Sequence, residues 1–375
     1  MVTYKFVDLF CGGGGMSLGL KKSGFEHILA ADYWDVAKQN YTSYDGLSEG
    51  KFQQVDLLKQ DEQVKLIDQL KDLSIDVLAG GPPCQGFSTL GKRSRDDHRN
   101  TLVDTYLRIA SEIKPKIIIM ENVPAIRSMK HKSGIKYPEF AKNFLRENGY
   151  YAETLLLEGK HVSLAQTRKR IFLIGMKKSE FKNTLNFSSI LSETMEKLVI
   201  GGEYKTLKNT IYDLPRFENG EGEDEIVYNG KTIYNHNVFK YQDVNLERIK
   251  QVPYGGGLQD IPDRFLSKHL MKMKTGGYGS GGFVKNLYGR LSWEKPSGTI
   301  VAGIKKITCG RFFHPENNRL LTVREAARLQ SFPEDYKFLG SFIDQYTIVG
   351  NAVPPKFATL IGNILNEIND TYLKV

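Results

Sequence analysis

The side chains best placed to do chemistry are Cys84, Glu121, Arg168 and Arg170. Cys84 stands in Gly80-Gly81-Pro82-Pro83-Cys84-Gln85-Gly86-Phe87-Ser88, after the apolar run Ile75-Asp76-Val77-Leu78-Ala79. That run reads as a buried strand, and two glycines with two prolines stop it. A thiol just beyond the carboxyl end of a strand in an open α/β sheet suits a nucleophile. It equally suits a small buried cysteine in a turn, and this stretch alone leaves both readings open. Glu121 ends another apolar run, Lys116-Ile117-Ile118-Ile119-Met120, and a turn follows it. It reads as a carboxylate at the catalytic face or as an ordinary surface glutamate. Arg168 and Arg170, in Gln166-Thr167-Arg168-Lys169-Arg170, enter the strand Ile171–Gly175. At i and i+2 of an extended segment they point the same way, toward an anion or toward solvent.

The elements that would hold these groups alternate between strand and helix. Tyr4–Phe10 reads as a first strand, followed by Cys11-Gly12-Gly13-Gly14-Gly15 and a helix from Met16. Strand, glycine turn and helix let backbone amides approach a nucleotide-type cofactor, although the full dinucleotide fingerprint is absent because position 17 is Ser. The second strand, Ile28–Ala31, ends at Asp32-Tyr33-Trp34-Asp35. An acid there is placed for ribose hydroxyls and a ring for adenine; a helix cap and a core aromatic are the plain alternative. Phe52–Leu58 reads as a third strand, and Val64, Leu66, Ile67 and Leu70 as the apolar face of a helix. Thr101–Ile113 and Phe140–Asn148 read as helices, and Tyr151–Leu157 as a strand. The polar segment 88–100 reads as a lid or as a solvated loop.

The alternation weakens after residue 178. From Arg264 to Arg311 ten Lys or Arg face a single acid, Glu294, with glycines and aromatics interleaved. That composition fits a surface tracking phosphates, or a solvated basic face. Leu321–Gln330 reads as a helix capped by Thr322 with Glu325 at the capping-box spacing. Phe357–Ile368 reads as a C-terminal helix. The 375 residues carry a net charge of +9, compatible with a polyanionic partner, and three cysteines, too few for a disulfide framework. No apolar run is long enough for a membrane span, no signal peptide is evident, and a cytoplasmic setting is expected.

Seven stretches in this order resemble the cytosine-C5 DNA methyltransferase family. They are DLFCGGGG (8–15), DYWD (32–35), GGPPCQGFS (80–88), ENV (121–123), QTRKR (166–170), RLLTVREAARLQSFP (319–333) and GNAVPP (350–355). The resemblance implies a doubly wound, Rossmann-like α/β domain binding S-adenosylmethionine, with a smaller, irregular target-recognition domain. The expected division is 1–178 catalytic, 179–334 target recognition and hinge, and 335–375 returning to the catalytic domain.

It also implies roles. Cys84 would add to C6 of a flipped cytosine, Glu121 would contact N3 and the amine, Arg168 would contact O2, and Arg170 would support the loop. S-adenosylmethionine, leaving as S-adenosylhomocysteine, would lie against Phe10, Gly12, Gly14, Gly15, Asp32, Tyr33, Trp34, Asp56, Leu57, Pro83, Leu102, Asn351 and Val353. The family usually has Glu where this chain has Asp32. Ser88, Leu90, Lys92, Arg93, Lys272, Lys274, Lys285 and Arg290 would touch double-stranded DNA. No metal is expected; a monomer is, with a separate cognate endonuclease as a further partner. A tRNA-directed relative and a catalytically silent DNA-binding paralogue are the alternatives. The first is disfavoured by the long segment between Gly175 and Leu321, the second by the intact Cys84, Glu121 and Arg168.

Overall fold

The computed structural model describes residues 3–48, 50–83, 101–199, 201–238, 240–276 and 286–372. They form two compact units, one of residues 1–158, 169–201 and 353–375, the other of 159–168 and 202–352. The boundaries differ from the expected division. Residues 179–201 stay with the first unit, and 335–352 belong to the second. In the second unit the helix Phe342–Asn351 packs on the turn Ala302–Lys305 so closely that a Cβ on Gly350 would fall on the backbone of Val301 and Ala302.

The first unit is built on a seven-stranded sheet in the order β3-β2-β1-β4-β5-β7-β6. The strands are β1 Lys5–Leu9, β2 Glu26–Asp32, β3 Lys51–Gln54, β4 Val77–Gly80, β5 Ile117–Asn122, β6 Tyr150–Glu158 and β7 Lys169–Lys177. β1 to β5 run parallel, and β7 runs antiparallel to both β5 and β6. The chain winds outward from β1 to β3, then returns to lay β4 on the other side of β1. Such a reversal opens a crevice beyond the carboxyl ends of the central strands. Register puts Leu9 beside Gly80 and Gly80 beside Met120, so the segments after β1, β4 and β5 emerge side by side. Val7, Leu9, Leu29, Leu78 and Ile118 are fully buried at the centre. The C-terminal helix Pro355–Tyr372 lies against the helix Gly15–Lys22, where a Cβ on Gly19 would strike the backbone of Pro355.

Two details depart from the sequence reading. β3 is short, because Asp56 to Lys59 turn into the helix Gln60–Asp72. In that helix Gln63 is buried and Val64 is exposed. Positions 63, 66, 67 and 70 share one face at 3.6 residues per turn, and Val64 lies about 100° away from Gln63. Gln63 settles its polar end by donating to the Leu57 carbonyl at 2.7 Å.

The second unit carries the hairpin β8 Gly222–Tyr228 and β9 Lys231–Asn237, the short parallel pair β10 Gly289–Arg290 and β11 Arg311–Phe313, and several short helices. Its largely apolar interior also holds several charges, among them Arg290, Arg319, Arg324 and Glu325. Arg319 grips Glu325 through two bonds of 2.8 and 2.9 Å while Glu325 closes the capping box with Thr322. Burial alone would raise the Glu325 carboxyl, but the Arg319 guanidinium holds it well below the usual range.

Candidate active site

The crevice is shaped first by the turn after β1. Phe10 takes a positive φ of 59°, a conformation that costs a non-glycine residue of order 1–3 kcal/mol. Gly12 follows at φ 50°, and a Cβ built on it would meet no heavy atom within 4 Å. The turn is therefore an open cradle at Gly12. Gly14, at φ 75°, is closed off by Leu47 and Tyr41, where a side chain would clash, and Gly15 opens the helix Gly15–Lys22.

Asp32, at the end of β2, ties this turn to its neighbour. One carboxylate oxygen accepts the Gly12 N–H at 2.9 Å and the other accepts the Trp34 N–H at 3.0 Å. Burial raises its pKa, and these backbone bonds oppose the rise. Tyr33 is 66 % exposed, whereas Trp34 is half-buried ahead of the helix Asp35–Ser43. Beyond β3, Asp56 accepts from the Leu58 N–H at 3.0 Å, and Leu57 is buried. Pro83 is half-buried, and Leu102 and Val353 are buried in the same unit. Asn351 is exposed and belongs to the second unit.

A residue outside the expected set also shapes the turn. Asp8 is buried on β1, and Ser17 donates to it at 2.6 Å. Tyr41 donates to Ser17 at 2.7 Å and meets His27 Nε2 at 2.8 Å. This chain pins the first helix beneath the glycine turn. Its sequence signal is an acid inside an otherwise apolar strand. Burial pushes the Asp8 carboxyl up to about 7, with the Asp32 charge adding to it and the Ser17 bond opposing it. An unfolded chain titrates it near 3.8, so the folded state binds the extra proton between those values. The folded state thus loses stability from this group as pH rises from about 4 to about 7. We expect Asp8→Asn to gain on the wild type by of order 1–3 kcal/mol between pH 5 and pH 8. Urea denaturation of both proteins at both pH values checks this; an unchanged difference would remove the assignment.

The second half of the crevice is at β4 and β5. Asn122 donates to the Pro82 carbonyl at 3.1 Å, tying the end of β5 to the turn that leads toward Cys84. Glu121 lies against the same turn, since a Cβ on Gly81 would come 3.3 Å from its Oε2. Arg170 Nε donates to Glu121 Oε1 at 2.7 Å, with each side chain only 12 % exposed. Register explains the meeting: Glu121 pairs with Phe172 across the antiparallel β5–β7 ladder, and Arg170 is two residues from Phe172 on the same face.

Arg168 does not share this destination. β7 begins at Lys169, so the alternation that would align the two arginines stops between them. Arg168 is fully buried in the second unit, donating to the Ile300 carbonyl at 2.6 Å and the Ala352 carbonyl at 2.8 Å. Beside it Gln166 donates to the Leu329 carbonyl at 2.6 Å and to Gln330 at 2.7 Å.

Cys84, Ser88, Leu90, Lys92, Arg93 and Lys285 lie outside the described residues. Lys272 is exposed on the helix Lys268–Lys274. Lys274 donates to the Ile261 carbonyl and to Asp263 at 2.8 and 2.9 Å. Arg290 corrects the expectation of a DNA-facing side chain. It is buried, and its guanidinium donates to the carbonyls of Ile249, Val252, His314 and Asn317 and to Asn318. A guanidinium so used is a strut for the second unit, and a basic composition does not reveal which cations face inward. Among the described residues, no helix is long and apolar enough to cross a membrane.

A doubly wound sheet with a glycine cradle at its switch point, and a half-buried carboxylate–guanidinium pair on β5 and β7, is the architecture of an α/β methyltransferase. The family model for C-5 cytosine-specific DNA methylase matches residues 4–367, and the chain belongs to that family. Its activity is cytosine-5 methyl transfer to DNA, and enzymes of this family use S-adenosylmethionine. The Type II methyltransferase M1.HphI of Haemophilus parahaemolyticus is 34% identical over 98% of this chain and 88% of its own length. M.DdeI of Desulfomicrobium norvegicum is 30% identical over 98% of this chain and 92% of its own length. In fold, a putative DNA modification methyltransferase encoded within an Escherichia coli prophage superposes with a TM-score of 0.71 at 23% identity, covering 98% of this chain and 100% of that one.

Proposed function

We propose that this enzyme methylates one cytosine within a short, specific duplex sequence, using Cys84 as nucleophile and Glu121 with Arg170 as the groups that activate the base. The observation that carries the reading is the Glu121–Arg170 pair. It is held against the turn leading to Cys84 by the Asn122 bond to Pro82.

Cytosine C5 is a weak nucleophile while the ring is aromatic. The Cys84 thiolate forms a bond to C6, the π pair shifts toward C5, and negative charge spreads to N3 and O2. Glu121 meets N3 and the exocyclic amine, favouring a proton at N3. Arg170 supplies the positive charge on the O2 side. We therefore give Arg170 the role that the family resemblance suggests for Arg168, and Arg168 a structural one. Once C5 carries its new substituent, solvent water takes the C5 proton, the thiolate departs, and Glu121 takes back the N3 proton, which restores the ring. The base leaves the helical stack for these contacts, so flipping is part of the reaction.

The cradle fits the family's cofactor. Open space at Gly12 admits a ligand against the backbone, with Phe10, Gly14 and Gly15 completing the turn. Each Asp32 oxygen has spent one lone pair on an amide, which leaves the other for a ribose hydroxyl. The exposed Tyr33 ring suits the adenine face better than the half-buried Trp34, and Asp56, Leu57, Pro83, Leu102 and Val353 line the remainder. When bound, S-adenosylmethionine supplies an electrophilic methyl group.

We read the enzyme as a monomer and the modification arm of a Type II system, working beside a separate endonuclease in the cytoplasm. The test is expression in a host without cytosine methylation, followed by bisulfite sequencing. Protected cytosines confined to one recurring short motif are expected. Complete conversion of every cytosine, with the protein folded and abundant, would overturn the reading.

A further inference from the structure

The segment after Glu121 is hydrogen-bonded into a turn and a short hairpin and is strongly basic. From Val123 to Pro138 there is no acidic residue, while Arg127, Lys130, Lys132 and Lys136 are all exposed. After the 3-10 turn Pro124–Ser128, Lys130 and Lys136 pair as an antiparallel bridge. The His131 N–H bonds to the Ile135 carbonyl and the Tyr137 N–H to the Met129 carbonyl, at 2.8 and 2.9 Å. Within this hairpin Lys130 and Lys132 point outward and His131 inward, as extended alternation requires.

His131 is the anchor. Its buried ring stacks on Phe140 at 3.7 Å and 13°, and its Nε2 lies 3.4 Å from Asp104 in the helix Thr101–Ile113. The nearest acid in sequence, Glu139, is engaged with Lys142 at 3.0 Å and Arg146 at 3.8 Å. Among the described residues, none of the four outward cations lies within salt-bridge distance of a carboxylate.

A solvated basic face has no need of such anchoring. Cations in excess over carboxylates, on an anchored hairpin at the carboxyl end of the strand that carries Glu121, suit a regularly spaced polyanion, although Lys132 also feels the Asp104 charge. We propose that the hairpin 129–137 is a second DNA-contact surface, on the catalytic unit, gripping the sugar–phosphate backbone beside the flipped cytosine. The proposal rests on the function given above. Phosphate contacts carry no sequence information, so this surface positions the duplex without choosing the site.

The test is the triple variant Lys130→Gln/Lys132→Gln/Lys136→Gln, with S-adenosylhomocysteine present. Affinity is measured between about 50 and 200 mM salt, a range over which phosphate contacts are strongly screened. Two duplexes are used, one carrying the methylated motif and one without it. The slope of log affinity against log salt should become shallower by up to about 2.7, at roughly 0.9 per lost contact. Both duplexes should weaken by the same factor, with S-adenosylhomocysteine binding unchanged. The matching triple arginine variant should keep the wild-type slope. An unchanged slope in the glutamine variant overturns the proposal, as does a slope change for tRNA alone or equal loss in the arginine variant. If the wild type neither binds duplex DNA nor methylates it, the proposed function falls; if it does both and the variant slope is unchanged, only the hairpin surface falls.

Discussion

A Cys84→Ser protein should form no stable adduct with duplex DNA containing 5-fluorocytosine, and its turnover should fall by roughly 10⁴-fold or more. Fluorine cannot leave C5 as a proton does. The wild type therefore stalls after methyl transfer with its sulfur still bonded to C6, and the complex survives denaturing electrophoresis. Serine is nearly isosteric with cysteine, but its hydroxyl gives almost no anion at neutral pH, and no base close to it has been assigned. Binding of S-adenosylhomocysteine should be unchanged, because the cradle at Gly12 and Asp32 involves neither side chain. An equally stable adduct with the serine variant would transfer the nucleophile to another residue.

The two arginines should separate cleanly. Arg170→Lys keeps a cation near Glu121 and loses the planar fork, so kcat should fall by about 10²-fold or more with little change in Tm. Arg168→Lys replaces a buried guanidinium spanning the Ile300 and Ala352 carbonyls with an ammonium that cannot reach both. Each buried carbonyl left without its donor costs of order 1–3 kcal/mol. That variant should lose roughly 1–3 kcal/mol of stability while its folded fraction turns over near the wild-type rate. Thermal denaturation and active-site-titrated kinetics on both proteins check the pair. A stable Arg168→Lys enzyme with kcat lost, beside an unimpaired Arg170→Lys enzyme, would return the O2 contact to Arg168.

Much of the catalytic unit was legible from local pattern. The apolar runs at 5–9, 77–80 and 117–122 are strands because a two-sided buried sheet demands continuous hydrophobicity. The glycine turn, Asp32 and Glu121 fall at strand ends, where α/β sheets keep their ligands. Thr322 and Glu325 form the capping box that their spacing predicts. Where the reading failed, a polar side chain had a buried backbone partner that residue type alone does not reveal. Val64 looked apolar enough for the core, yet Gln63 faces inward with the Leu57 carbonyl to satisfy it. Arg290 looked like part of a basic surface, yet four carbonyls and an asparagine from two separate segments surround it.

The sequence by itself placed a cysteine, a carboxylate and a glycine turn at strand ends, and the order of its motifs, through the family resemblance, assigned them as expected nucleophile, partner and cofactor turn. Only the tertiary structure decided which arginine meets Glu121. Alternation along an extended chain puts Arg168 and Arg170 on one side, but it holds only while the strand lasts. β7 starts between them, and its antiparallel register with β5 delivers Arg170 to Glu121. Arg168, one residue outside the ladder, is claimed by carbonyls from residues more than a hundred positions away.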